Sequence, residues 1–228
     1  LPQLPDSGFN RVAPFYDALA RLVYGNSLEQ AQLALLPFVP PQARVLVIGG
    51  GTGWLLEQLL QTGKKLDILY VEAAPAMLQR AEGKYGKYKK PHPCQVTFRL
   101  GTEQSINPGE QFDVIFTPFL LDLFPPQRLQ ELMSRLAAAL SPGGQWLFAD
   151  FWPMQQPTPW WQRLLIRGMY TFFGWLSHVQ ATQLPDYKAH FTALGFREKY
   201  SQAFYGGMVQ AKTLERVREL ESLGVWEL

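Results

Sequence analysis

One cysteine, Cys94, is all the chain carries, so no disulfide can close within it and no multi-cysteine metal site is available. Its histidines, His92, His178 and His190, stand at no metal-ligand spacing, and no metal is expected. Charge is scarce as well: Asp, Glu, Lys and Arg make 18% of the 228 residues, against roughly 25% in ordinary domains, and the net charge is only +2. No basic run extends beyond Lys84–Lys90, which gives no sign of a nucleic-acid partner. No segment has the form of a signal peptide, and a lone thiol suits a reducing, cytoplasmic compartment. Leu1 is not an initiator methionine, so a leader removed earlier stays open.

What the chain has instead is apolar and aromatic. Hydrophobic residues make 47%, aromatics 14%, and there are 7 tryptophans. Rings in such number beside so little charge point to an apolar pocket or contact surface. The length suits one domain, or a domain with an inserted cap.

The run Val45-Leu46-Val47-Ile48-Gly49-Gly50-Gly51-Thr52-Gly53-Trp54-Leu55-Leu56 organises the rest. Its first four residues, three of them β-branched, predict a strand buried on both faces. Glycines follow, and then Leu55, Leu56, Leu59 and Leu60 return at helical spacing. Strand, glycine turn and helix open a nucleotide-binding βαβ unit, where a ligand must touch bare backbone. The dinucleotide fingerprint would place a glycine at position 54, which is Trp, and no Gly-Lys-Ser/Thr closes a phosphate loop.

The second predicted strand, Leu66–Val71, ends at Glu72, the correct remove for a carboxylate that accepts both ribose hydroxyls. Ala73 and Ala74 are small enough for a flat base to lie against them. Pro75 starts a helix carrying Met77 and Leu78. Further strands are expected over Gln95–Leu100, Phe112–Phe116 and Gln145–Asp150, with a helix from about Gln127 to Leu140. The third and fourth strands leave room between them for a turn or two of helix. Alternating strands and helices predict a parallel sheet with helices on both faces, and ligands of such sheets bind at the carboxyl ends of the strands. Gly49–Gly53, Glu72, Thr102-Glu103 and Thr117-Pro118 all fall there.

Before this core, a helix from Val12 to Tyr24 breaks at Gly25-Asn26. Ser27 and Gln30 have the form of a capping box for a second helix. These helices either cover a sheet face, the commoner role, or lie across the ligand edge. After the core, Trp160–Ser177 is expected as a helix burying Trp161, Leu164, Leu165, Phe172 and Phe173 beneath a polar stripe of Arg163, Arg167, Thr171 and Gly174. Two arginines argue against a membrane span. Lid over an apolar substrate, homodimer surface, weak membrane-surface contact and plain packing on the sheet compete for it. Leu184-Pro185-Asp186 opens another helix, stopped by Gly195. Phe196–Tyr205 and Met208–Thr213 read as a hairpin through Gly206-Gly207, and Leu214 to Leu228 as a charged, helical tail.

This pattern resembles the class I S-adenosylmethionine-dependent methyltransferases, best over residues 43–151. The resemblance implies an α/β, Rossmann-like, seven-stranded and mostly parallel sheet whose last strand is antiparallel. Residues 1–42 would form an amino-terminal helical cap, and 43–228 the methyltransferase domain with a helical insertion at about 152–183. S-adenosylmethionine would be the cofactor, its methionine part on Gly49, Gly50, Gly51 and Gly53 and its ribose on Glu72. Ala73, Met77, Thr117 and Pro118 would line the site. Gly101-Thr102-Glu103 occupies the place of a glycine-aspartate pair near the adenine. Thr102 departs from that pair, so Glu103 supplies the carboxylate or the contact is by backbone alone. The segment from Phe15 to Tyr24 is similar to the amino-terminal part of ubiquinone and menaquinone methyltransferases, which makes Tyr16 and Tyr24 candidate cofactor contacts.

The implied reaction is in-line methyl transfer to a small, apolar or aromatic acceptor, which needs no base when the acceptor is anionic or readily deprotonated. If one is used, Asp122, Asp150 and His178 are the candidates. A nicotinamide oxidoreductase shares the layout but lacks the third glycine, and its Tyr-x-x-x-Lys pattern, Tyr85 to Lys89, falls in an exposed stretch. A non-catalytic cofactor-binding or interaction protein is the remaining alternative.

Overall fold

A computed structural model describes residues 21–154, 158–177 (172–177 by backbone alone) and 183–217. The strands are β1 Arg44–Ile48, β2 Asp67–Glu72, β3 Gln95–Leu100, β4 Phe112–Pro118, β5 Leu140–Phe151, β6 Phe196–Phe204 and β7 Val209–Arg216. The helices are α1 Ser27–Leu33, α2 Trp54–Gln61, α3 Pro75–Lys87, α4 Pro126–Ala139, α5 Trp160–Ser177 and α6 Tyr187–Ala193.

All seven strands form one sheet in the order β3-β2-β1-β4-β5-β7-β6. The first five run parallel, and β7 lies antiparallel to both β5 and β6. Side chains alternate across each strand with period two. Val45 and Val47 join Tyr70 and Phe116 in a layer closed by α1, α2, α3 and α5. Leu46 and Ile48 join Val71, Ile115 and Trp146 in the opposite layer, closed by α4 and α6. Strand order reverses between β1 and β4, so the glycine turn after β1 stands at the switch point where such sheets bind ligands.

Several local expectations change. Ser27 is the first residue of α1 rather than its cap; Asn26 precedes it and no side chain caps the start. The β3–β4 connection is as short as expected, a single 3₁₀ turn, Glu103–Ser105, whose start Thr102 caps by accepting at its side chain from the Gln104 amide. Leu140 already pairs with Phe112, so Ser141–Gly144 is an excursion within β5 with Gly143 at φ +78. Leu214 to Arg216 belong to β7, and 218–228 lie outside the described residues. Leu164, expected to be buried, is 64% exposed, while Met169 and Tyr170 fill the inward face of α5. No helix among the described residues is long and apolar enough to cross a membrane.

Candidate functional site

The glycine turn is gripped from two sides. Gly51 donates its N–H to Glu72 Oε2 at 3.0 Å and accepts at its carbonyl from the Tyr70 hydroxyl, also at 3.0 Å. Tyr70 and Glu72 stand two residues apart on β2, so they point to the same side of the sheet and reach the two peptide groups that flank the Gly51 Cα. A Cβ on Gly50 would meet the Tyr70 hydroxyl at 2.5 Å, and one on Gly49 would meet Leu120 at 2.7 Å. Gly53 has φ +88 and lies against the Ala81 backbone of α3 at 2.8 Å from a would-be Cβ. Gly51 differs: at φ +63 it also needs glycine, yet nothing lies within 4 Å of where its Cβ would stand. The turn therefore presents bare backbone to open space, a cradle that any side chain would fill.

Glu72 Oε1 accepts from the Ala74 amide at 2.9 Å, and the residue is buried. Burial pushes its pKa up, and backbone N–H donors from Ala74, Gly51 and Ala73 pull it back. A carboxylate has about four acceptor positions, so the backbone donors leave room for a hydroxyl. Ala73 is half-buried beside it, and Met77 is buried in the first turn of α3. The Gly101 amide donates to the Glu72 carbonyl at 3.0 Å, which brings the Gly101-Thr102 turn next to Glu72.

Glu103 is placed otherwise than the adenine reading requires. Both its oxygens accept from Arg128 of α4, at 2.9 and 2.7 Å, and its carbonyl accepts from Arg135 at 2.8 Å. Only 2% of the residue is exposed. The carboxylate fastens the β3–β4 connection to α4, leaving backbone at Gly101-Thr102 for any base contact. Arg128 is about a fifth exposed, so the pair is screened on one side. Arg128→Ala is expected to lower stability by about 2 kcal/mol, less than for a fully buried pair because water reaches the site. Denaturant unfolding checks it, and a loss within experimental error would remove the pair from the account.

At the end of β4, Thr117 is buried and accepts at Oγ1 from Trp146 Nε1 at 2.9 Å, and Pro118 is buried beside it. Phe119 then takes φ +50, unusual for a ring-bearing residue, and its amide donates to the Ala149 carbonyl at 2.7 Å. The chain is held in this bend by Asp150 at the end of β5. Asp150 Oδ2 accepts from the Leu121 amide at 3.0 Å and more weakly from that of Asp122 at 3.4 Å, while Oδ1 accepts from Phe151 at 2.8 Å. Its oxygens are thus occupied by backbone, which makes Asp150 the clasp of the post-β4 loop rather than a free base.

Asp122 lies against Asp150, and both are buried. Burial is the largest cause that raises each; it pushes Asp122 up to about 7, and the neighbouring Asp122 charge raises Asp150 further. Two carboxyls so close and so dry retain a proton well above the ordinary carboxylate range. Three phenols surround them. Tyr170 of α5 donates to the Asp122 carbonyl at 3.1 Å, and Tyr24, Tyr170 and Tyr187 are all pushed up, chiefly by burial and then by these carboxyls. The Tyr24 ring lies 5.1 Å from Phe151 and 5.5 Å from Tyr205. The turn at 21–24 therefore sits at the carboxyl edge, whereas α1 packs on β6 and β7. Tyr16 and His178 lie outside the described residues.

The sequence reading missed Tyr70 and Leu120. Tyr70 had one signal, a phenol two residues before Glu72 and so on its face; Leu120 had none, since only the fold brings it over Gly49.

Residues 45–144 match the family whose description is methyltransferase domain. Malonyl-[acyl-carrier protein] O-methyltransferase of Halorhodospira halophila is 29% identical over 149 residues, 64% of this chain and 47% of that protein. Carboxy-S-adenosyl-L-methionine synthase of Campylobacter lari is 26% identical over 145 residues, 62% of this chain and 59% of that one. The chain thus spans about half the length of the curated relatives it matches. Among solved structures, the 1,6-didemethyltoxoflavin N1-methyltransferase of Burkholderia thailandensis, with bound 1,6-didemethyltoxoflavin and S-adenosylhomocysteine, superposes with a TM-score of 0.61 at 17% identity, over 91% of this chain and 85% of that one. That likeness is one of fold.

Proposed function

We propose that the chain is a class I S-adenosylmethionine-dependent methyltransferase, that it holds its cofactor on the Gly49–Gly53 turn and Glu72, and that it moves the methyl group in line onto a small, largely apolar or aromatic acceptor. The observation that carries the reading is Gly51: Tyr70 and Glu72 pin the peptide groups on both sides of its Cα while its Cβ direction stays open. S-adenosylmethionine supplies a methyl group on a positively charged sulfur, already activated for displacement.

The chain's own work is placement. Gly49, Gly50, Gly51 and Gly53 offer backbone to the methionine part, Glu72 accepts from a ribose hydroxyl, and Ala73 with the Thr102 backbone flanks the base. Thr117, Pro118 and Phe119 set the wall from which the acceptor approaches. Alignment of this kind substitutes for a strong base, in keeping with an Asp150 engaged by backbone. The Tyr24 ring favours a nearby cation by about 0.5–2 kcal/mol. An aromatic acceptor is supported by the ring-rich composition. A free, buried Cys94 suits a cytoplasmic setting.

Calorimetry with S-adenosylmethionine and S-adenosylhomocysteine tests the reading. Glu72→Ala is expected to weaken binding by at least about tenfold, since hydrogen bonds to a charged group are the strong ones. No binding by the unmodified chain would dispose of the cofactor site altogether, and an unchanged affinity in the variant would remove Glu72 from it.

A further inference from the structure

Helix α5 has two faces of opposite character. Inward, Gln162 is buried and donates from Nε2 to the Gly206 carbonyl at 2.9 Å, and Tyr170 reaches the Asp122 carbonyl. These bonds fix the helix over the carboxyl ends of β4 and β5. Outward, Trp160 is 72% and Leu164 64% exposed, with Arg163 and Arg167 exposed beside them. Residues 160, 163, 164 and 167 make one stripe at helical spacing. Met154, just ahead of the helix, is 66% exposed and lies against Gly207, the neighbour of the Gly206 that holds Gln162. Not one Asp or Glu occurs from Phe151 to Pro185.

Ordinary solvent exposure does not account for a large ring and a leucine one turn apart on the outer face. A two-fold contact between copies would set Arg163 and Arg167 against their own images with no carboxylate in the patch to answer them. An acidic lipid surface answers both features. Guanidinium groups meet the head groups, while Trp160, Leu164 and Met154 enter the boundary between head groups and acyl chains.

We infer that the outer face of α5, formed by Trp160, Arg163, Leu164 and Arg167 with Met154 beside it, docks on an anionic lipid surface. The inner face of the same helix covers the proposed acceptor side of the site. Docking therefore sets that side next to the phase in which an apolar acceptor dissolves. This consequence rests on the proposed methyl transfer; the lipid contact itself does not.

Co-sedimentation of the full chain with vesicles tests it. The chain is expected to partition onto phosphatidylcholine vesicles containing phosphatidylglycerol, to bind pure phosphatidylcholine far less, and to be released by salt. Arg163→Gln and Arg167→Gln should each lower the anionic partition about fivefold, the contribution of one basic residue near such a surface. Trp160→Ser with Leu164→Ser should lower it further, because the apolar anchor goes. Each variant is also unfolded with denaturant; an unchanged midpoint shows an intact fold and keeps the outcome separate from that of the cofactor site. Three results would overturn the inference. One is no partition by the parent chain, and another is partition that the variants leave unaltered. The third is a concentration-dependent dimer in sedimentation that the same variants abolish, which would assign the face to a second copy.

Discussion

Gly53→Ala is expected to destabilise the fold by about 4 kcal/mol, whereas Gly51→Ala, two residues earlier, costs only about 1–2 kcal/mol and abolishes cofactor binding. Both positions have positive φ, +88 and +63, so each pays the left-handed penalty of a side chain. The difference lies in what the new methyl group meets. At Gly53 it strikes the Ala81 Cα at 2.8 Å and its Cβ at 2.9 Å, atoms fixed to the backbone of α3 that cannot rotate aside. Either α2 or α3 must shift, and the packing of Leu55, Leu56 and Leu59 goes with it. At Gly51 the methyl group enters open space, so the fold tolerates it. That space is the one the cofactor is proposed to fill. Denaturant unfolding and calorimetry on the two variants give opposite orderings, and a Gly51→Ala chain that binds S-adenosylmethionine as the parent does would show that the cradle is not used.

Why the turn was legible in the sequence, and its surroundings less so, follows from range. Val45–Ile48 is a strand because its β-branched run fits a sheet buried on both faces, and the glycines must follow because the backbone turns at positive φ there. Helix α5 was legible from Pro153, Pro157 and Pro159 ahead of it and from its apolar recurrence. The face it buries was not legible: apolar residues stand all round it, and spacing cannot tell Leu164, which faces out, from Met169 and Tyr170, which face in. Contacts between distant segments were beyond reach for the same reason. The carboxylate of Glu103 was read as a ligand because it follows a strand end. Its partner Arg128 lies 25 residues on, and only the packing of α4 beside the β3–β4 connection brings the two together. Asp122 and Asp150, likewise, were two separate base candidates until the parallel pairing of β4 and β5 put their ends side by side.

That pairing makes opposite outcomes of two substitutions. Asp150→Ala removes the acceptor of the Leu121 and Phe151 amides in a place closed to water, and two buried N–H groups left unmet cost about 4 kcal/mol together, at any pH where the chain folds. The loop carrying Phe119 at φ +50 loses its clasp, so cofactor affinity should fall with stability. Asp122→Asn acts through protons instead. An unfolded Asp gives up its proton near its ordinary value of 3.8, while burial holds Asp122 up to about 7 in the fold. Between those values the folded Asp122 binds more protons than the unfolded one, so its contribution to stability is greatest below about pH 4 and is lost as pH rises through about 7, by on the order of 4 kcal/mol. Asparagine keeps the shape of the protonated acid and cannot ionise. The variant should match the parent near pH 4 and exceed it near pH 8. Burial raises Glu72 with the same sign, but it is common to both chains and cancels in the difference. Unfolding free energies measured across this range decide the point: parallel pH profiles for parent and Asp122→Asn would mean that the pair holds no shared proton. A variant less stable than the parent at pH 8 would mean that the Asp122 charge is itself stabilising.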